Sequence, residues 1–305
     1  MFLNVCLQVG VLLILILLGF ILTKLNMINE AGANVMTDLV LYAVTPAVIV
    51  KSFIRPFEIS AAKNLATSIL CAVIAHIVFI IFSLLLLKNK NVKRERVLRF
   101  AAIFGNCGFM ALPLQQALLG DEGVFYGSSV VAIFNVFVWS FGIYLMSGDK
   151  KYIKPKALAL SPSIIAIFVG IIIFLLSIPV PEIIKSPISM LSSLNTPVPM
   201  IIIGYHLAKS DILGGLRDKC TLAPYFLKLV AFPLIALLIM YLCGIRGAMM
   251  VSLTIAFASP IATMTAMFSA KFSNDTSLAA TLISTSHLLC IITMPPIIYL
   301  AQLLA

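Results

Sequence analysis

The sequence predicts an all-α membrane protein: ten transmembrane helices in two inverted five-helix repeats, with the fourth and ninth helices broken. Three observations lead there. The 305 residues are 62% hydrophobic and 10% charged, where a soluble domain carries about 25% charged residues. Apolar runs long enough for a ~30 Å hydrocarbon core recur from end to end, and the mean hydropathy is +1.14. Helix-breaking residues recur at matching places in the two halves.

The first run, 5–24, lacks the basic leader and small-residue cleavage site of a signal peptide and reads as a retained helix. The second, 34–53, carries Thr45-Pro46, and the third, 64–87, carries His76. The polar stretch KNKNVKRERVLR follows at 88–99. The fourth run, 97–118, contains Gly105, Asn106, Gly108 and Pro113, and the fifth, 123–146, contains Asn135. After SGDKKYIKPK (147–156), the runs are 159–177, 187–208, 221–243, 247–269 and 276–303. The seventh holds Thr196-Pro197, the eighth Lys228, the ninth Ser259-Pro260 and the tenth His287. Lys228 stands about two turns from a helix end, so its long stem reads as snorkelling to the headgroups ahead of serving as a buried counter-ion.

Fifteen Lys and Arg fall in loops on one face and five on the other. The richer face is expected to be cytoplasmic, which puts both termini outside a cytoplasmic (inner) membrane. The formal net charge of +10 is this loop bias, so lipid and not nucleic acid is the expected partner. The six cysteines form no C-x-x-C pair and read as free thiols, with no metal site.

Thr45-Pro46 and Thr196-Pro197 lie 151 residues apart, close to half the chain, and the breaks in the fourth and ninth runs are similarly spaced. The halves are 1–150 and 151–305. Five spans per half is odd, so the second copy enters the membrane upside down, as in secondary transporters.

A broken helix frees N–H groups at one new end and carbonyls at the other. The N-terminal end suits an anion. Such backbone is tolerated in a membrane only where it packs in protein or lines a wet cavity. The candidate substrate-binding set is Gly105, Asn106, Cys107, Asn135, Pro260, Ile261 and Thr263, with Phe109 shaping the pocket. Intramembrane polar residues are costly. His76, His206 and His287 read first as neutral rings bonded to neighbouring groups. His287, in ISTSHLL, is also the preferred proton relay, with Thr45 and Thr196 as further coupling or relay candidates. No cofactor is expected. No span has an acidic residue at its centre, which argues against carboxylate-based sodium/proton exchange. Na+ held by carbonyls and hydroxyls, or H+, stays open as a coupling ion.

GNCGFMALPL at 105–114, followed by Gly120, Asp121 and Glu122, resembles the fourth-helix signature of the auxin efflux carrier family. ASP at 258–260, KFSND at 271–275 and TMPP at 293–296 fit the same pattern. The similarity covers essentially the whole chain. The central polar loop is only 147–156, so the chain looks like a compact prokaryotic member. The resemblance implies a fold like those of sodium/proton antiporters and bile-acid symporters, in which a scaffold and a crossover (transport) domain each draw on both repeats and the broken fourth and ninth helices cross at the substrate site, with organic anions as substrates. It places substrate contacts at Asn106, Pro260 and Asn135, the last four residues before Trp139. Plant carriers often have a polar residue where this chain has Ile261, which implies a different ligand or fewer side-chain hydrogen bonds there. The homodimer common in related folds is a further expectation.

The leading function is therefore a secondary transporter for a small carboxylate, working by elevator-like alternating access. A passive channel or uniporter, or a solute-sensing membrane protein, is the alternative. A membrane enzyme is disfavoured, because the sequence has no H-E-x-x-H, G-x-S-x-G, Walker A or acidic metal cluster.

Overall fold

The computed structural model describes residues 2–209 and 217–305, and the described chain is built of helices joined by turns. Among the described residues, seven helices are long and apolar enough to cross a bilayer: Val5–Lys24, Glu30–Phe53, Ile59–Leu86, Cys107–Ser147, Glu182–Ala208, Lys219–Leu242 and Thr276–Leu304. Shorter helices stand beside them at Val92–Ile103, Pro162–Leu175, Gly247–Ala258 and Met264–Lys271.

Side-chain caps set edges that hydropathy places a few residues off. Asn29 Oδ1 accepts the Gly32 N–H at 2.9 Å, so the second helix starts at Glu30 and not 34. Asn91 likewise starts a helix at Val92 and not 97, whereas Asp275 caps Thr276, where the sequence places the start of the tenth run. Cys107–Ser147 contains a sharp turn at Gly120, where φ is 64° and ψ is −151°. That region is open essentially to glycine alone. The turn separates residues that the sequence assigns to the fourth and fifth runs.

Of the four widened π-turns among the described residues, Val138–Gly142 has no proline just after it, and the other three have a common cause. They span Val40–Val44, Cys107–Ala111 and Leu227–Ala231, and each lies just before a proline: Pro46, Pro113 and Pro233. A proline lacks the N–H that would bond four residues back, and its ring pushes on that carbonyl. The residue four back is Tyr42, Phe109 or Leu229, the middle of each π-turn. The helix absorbs the proline by widening there instead of ending.

The helices pack in two groups. In one, Phe2–Lys24 lies along Pro197–Ala208, and Thr45–Phe53 packs on Pro162–Leu175 and Glu182–Ser193. In the other, Leu112–Phe137 packs on Ile59–Leu86 and Gly247–Ala258, and the latter also meets Phe232–Leu242 and Thr276–Leu304. Every residue from Met249 to Ala258 is buried, so this short helix is the centre of its group. Buried phenylalanines pack beside it: Phe79 stacks on Phe232 and meets Phe257 edge-on. Large apolar side chains such as Leu7, Ile14, Ile81, Phe168 and Ile183 point outward, as a lipid-facing surface requires.

Candidate functional site

The helix Val92–Ile103 stops because Phe104 turns extended, at φ −100° and ψ 117°. Gly105 and Asn106 continue without helical bonding, and the helix resumes at Cys107. Asn106 caps the new helix, its Oδ1 accepting the Phe109 N–H at 3.3 Å. The second interruption mirrors this. Gly247–Ala258 ends at Ser259, which is extended, and helix returns at Met264.

The two interruptions lie side by side. Gly105 and Ile261 form an antiparallel bridge. The Asn106 N–H donates to the Pro260 carbonyl at 2.7 Å, and the Ala262 N–H donates to the Phe104 carbonyl at 3.0 Å. The Ile261 N–H donates to Ser286 Oγ at 3.1 Å. Backbone polarity released by each break is thus largely met by the other. Two new helix N-termini, at Cys107 and Met264, open at this point.

Asn106 and His287 extend the network. Asn106 Nδ2 donates to His287 Nε2 at 3.1 Å, and His287 Nδ1 donates to the Ile283 carbonyl at 2.8 Å. These partners fix the ring as the neutral Nδ1–H tautomer, and they fix the orientation of the amide, whose oxygen already accepts from Phe109. Beside them is a cavity of about 10 Å³, near the room one water needs. Its lining includes Thr263, Ser284, His287 and the exposed His206, with Ile203 and Leu207 from the first helix group. Phe109 meets Val40 and Ile202 of that same group.

A second small cavity lies within the other helix group, lined by His76, Gly105, Cys107, Phe134, Lys228 and Phe257 among others. Here the structure corrects the reading of Lys228. The side chain does not reach the headgroups; it is 1% exposed, and its Nζ donates to the Phe257 carbonyl at 2.9 Å. That carbonyl closes the helix Gly247–Ala258, whose negative end attracts a cation. His76 Nδ1 donates to the Ala72 carbonyl at 2.8 Å, and the ring stacks on Phe137 with centroids 5.4 Å apart. Neither cavity has an acidic residue in its lining.

Gly105, Asn106, Cys107, Pro260, Ile261, Thr263 and His287 thus come together in one region. Asn135, Thr45 and Thr196 line neither cavity. The Asn135 amide donates within its own helix, to Val131 at 2.8 Å. Thr45 is buried beside the first π-turn, and its hydroxyl has no partner. Thr196 sits in the turn that opens Pro197–Ala208. Ser286, which accepts the Ile261 N–H, escaped the sequence reading, and Lys228 was read as pointing out to the headgroups. A signal for Lys228 was present, since it lies 152 residues after His76, close to the spacing of the Thr-Pro pairs.

Comparison with known proteins decides the family. A model described as "Membrane transport protein" matches residues 5–158 and 153–298. The chain belongs to this family, that of the auxin efflux carriers. An uncharacterized transporter of Methanothermobacter thermautotrophicus is 26% identical over 292 residues, covering 93% of this chain and 94% of that protein. An uncharacterized transporter of Methanocaldococcus jannaschii is 24% identical over 303 residues, covering 93% and 95%. The chain is therefore a compact prokaryotic-type member of a transporter family and an integral membrane protein. Family and relatives are transporters and not enzymes.

Proposed function

We propose that this family member is a secondary transporter that moves a small organic anion, a carboxylate, by elevator-like alternating access. The observation that carries the reading is the antiparallel pairing of 104–106 with 260–262 between two new helix N-termini. Partial positive charge converges there, together with the Asn106 amide and the Thr263 hydroxyl, and no carboxylate lines the space. Such a site prefers anions.

The ten-span reading divides Cys107–Ser147 at Gly120, joins its first part to Val92–Ile103, and joins Gly247–Ala258 to Met264–Lys271. With Pro162–Leu175 and the six other long helices, this makes ten. The spacing of residues supports an inverted repeat: Asn135 and His287 stand 152 residues apart, as do His76 and Lys228. The helix group holding 2–53 and 162–208 would be the scaffold, and the group holding the interruptions would be the moving domain. The cavity at Thr263 and His287 lies where the two groups meet, which is where a carried solute would sit. Loop charge supports an orientation with both termini outside a cytoplasmic membrane.

Uptake of radiolabelled mono- and dicarboxylates into proteoliposomes tests this. Saturable flux and accelerated counterflow are expected. Flux linear in substrate with no counterflow would make the protein a channel, and wild-type flux in Asn106→Ala would refute the assigned site.

A further inference from the structure

The buried lysine has no role in the reading above. Lys228 Nζ sits at the C-terminal end of Gly247–Ala258, bonded to the Phe257 carbonyl at 2.9 Å. A methyl group built on Gly105 would stand 2.5 Å from that Nζ and 2.6 Å from Ser259 Oγ. The ammonium and the hydroxyl therefore crowd the same side of Gly105, at the point where the two interrupted segments bridge. Carbonyl and hydroxyl oxygens gathered at a negative helix end are what a hard monovalent cation seeks. Lysine is far from an ordinary occupant of such a place, because burying an unpaired charge is costly.

The groups facing Lys228 leave it without a counter-ion of its own. Its cavity presents His76 from Ile59–Leu86 and Cys107 from the helix after the first break, with apolar side chains around them. Among the described residues no ion pair involves Lys228. What compensates the charge is the Phe257 carbonyl and the helix dipole behind it.

We propose that the Lys228 ammonium is the resident cation of the paired interruptions, holding the place that a coupling Na+ would otherwise take. The interruptions then keep a tethered positive charge through every step, and sodium has no vacancy to fill. The word "coupling" rests on the transporter reading; the occupancy itself is a property of the fold and is tested apart from transport.

The test is thermal unfolding of the purified full chain in detergent, in NaCl against choline chloride at equal ionic strength. The wild type is expected to melt at the same temperature in both salts. Lys228→Ala is expected to melt lower in choline and to recover by at least about 3 °C as Na+ is titrated in, saturably. If Lys228→Ala does not fold, Lys228→Gln takes its place, because it also removes the charge. Saturable stabilisation of the wild type by Na+ overturns the proposal. So does a loss in the variants that is equal in the two salts, since the lysine would then be a structural strut. Stimulation of wild-type uptake by an imposed Na+ gradient overturns it as well. Failure of every carboxylate to be transported would sink the transporter reading and leave the melting comparison standing.

Discussion

Asn106 Nδ2 lies 3.1 Å from His287 Nε2, so one amide ties the first interruption to the long C-terminal helix while its oxygen caps the helix that begins at Cys107. Both ends of the amide are used, and neither an acid nor an alkyl group can replace it. Asn106→Ala loses the cap, worth about 1 kcal/mol, and strands the His287 nitrogen. Asn106→Asp keeps the cap but turns an acceptor toward the Nε2 lone pair and adds negative charge where an anion is to bind. Both variants are expected to lower carboxylate uptake, with Asp lower than Ala. Initial rates in proteoliposomes at matched protein density check the order.

His287 uses both ring nitrogens, donating to Ile283 at 2.8 Å and accepting from Asn106. A ring held in this way is a fixed, neutral part of the network. His287→Gln retains an acceptor for the Asn106 amide, so most transport is expected to survive, with the loss of one hydrogen bond costing about 1 kcal/mol, roughly fivefold in affinity. His287→Leu is expected to lose considerably more. A relay role predicts otherwise: both variants would abolish any dependence of uptake on an imposed pH gradient. Uptake with and without that gradient separates the two.

Gly120 has φ 64° and ψ −151° inside an otherwise continuous helical stretch. No Cβ clash forces glycine there, because nothing lies within 4 Å of the position. The constraint is the backbone alone, so Gly120→Ala should cost about 1–3 kcal/mol. The turn also lets Gln115 fold back, its Nε2 donating to the Ser252 carbonyl at 2.8 Å, while Ser252 Oγ donates to the Gly123 carbonyl at 2.6 Å. Thermal unfolding of Gly120→Ala, compared with Gly10→Ala in a regular helix where a methyl group likewise meets nothing within 4 Å, measures the cost.

The interruptions were legible because their residues violate the local pattern: Gly105, Asn106 and Ser259-Pro260 are poor helix formers set in apolar runs. Span edges were less so, since a cap such as Asn29 outweighs hydropathy over one turn. Lys228 was read the wrong way for a physical reason. A lysine near a helix end carries the same local signature whether it snorkels or turns inward, and only a carbonyl 29 residues away, at Phe257, decides between them. Ser286 was equally hidden, because its importance is a bond to the Ile261 N–H from another helix.

The contact between Phe2–Lys24 and Pro197–Ala208 left no local sign in the sequence, yet it sets a clear test. A methyl group on Gly204 would lie 2.1 Å from the Ile16 carbonyl oxygen, and one on Gly19 would lie 2.3 Å from that of Ile201. The obstacle in each case is backbone, which cannot swing aside as a side chain can. The two helices approach through these glycines, the close packing that small residues permit in membranes. Gly10 lies in the same first helix with nothing within 4 Å. Gly10→Ala should therefore be neutral or stabilising by up to about 1 kcal/mol through helix propensity. Gly19→Ala and Gly204→Ala gain the same propensity but must force the helices apart, at about 1–3 kcal/mol or more. The prediction is a difference in sign within one helix, read from melting temperatures of the three variants. Equal behaviour of Gly10→Ala and Gly19→Ala would show that the close approach contributes nothing to stability.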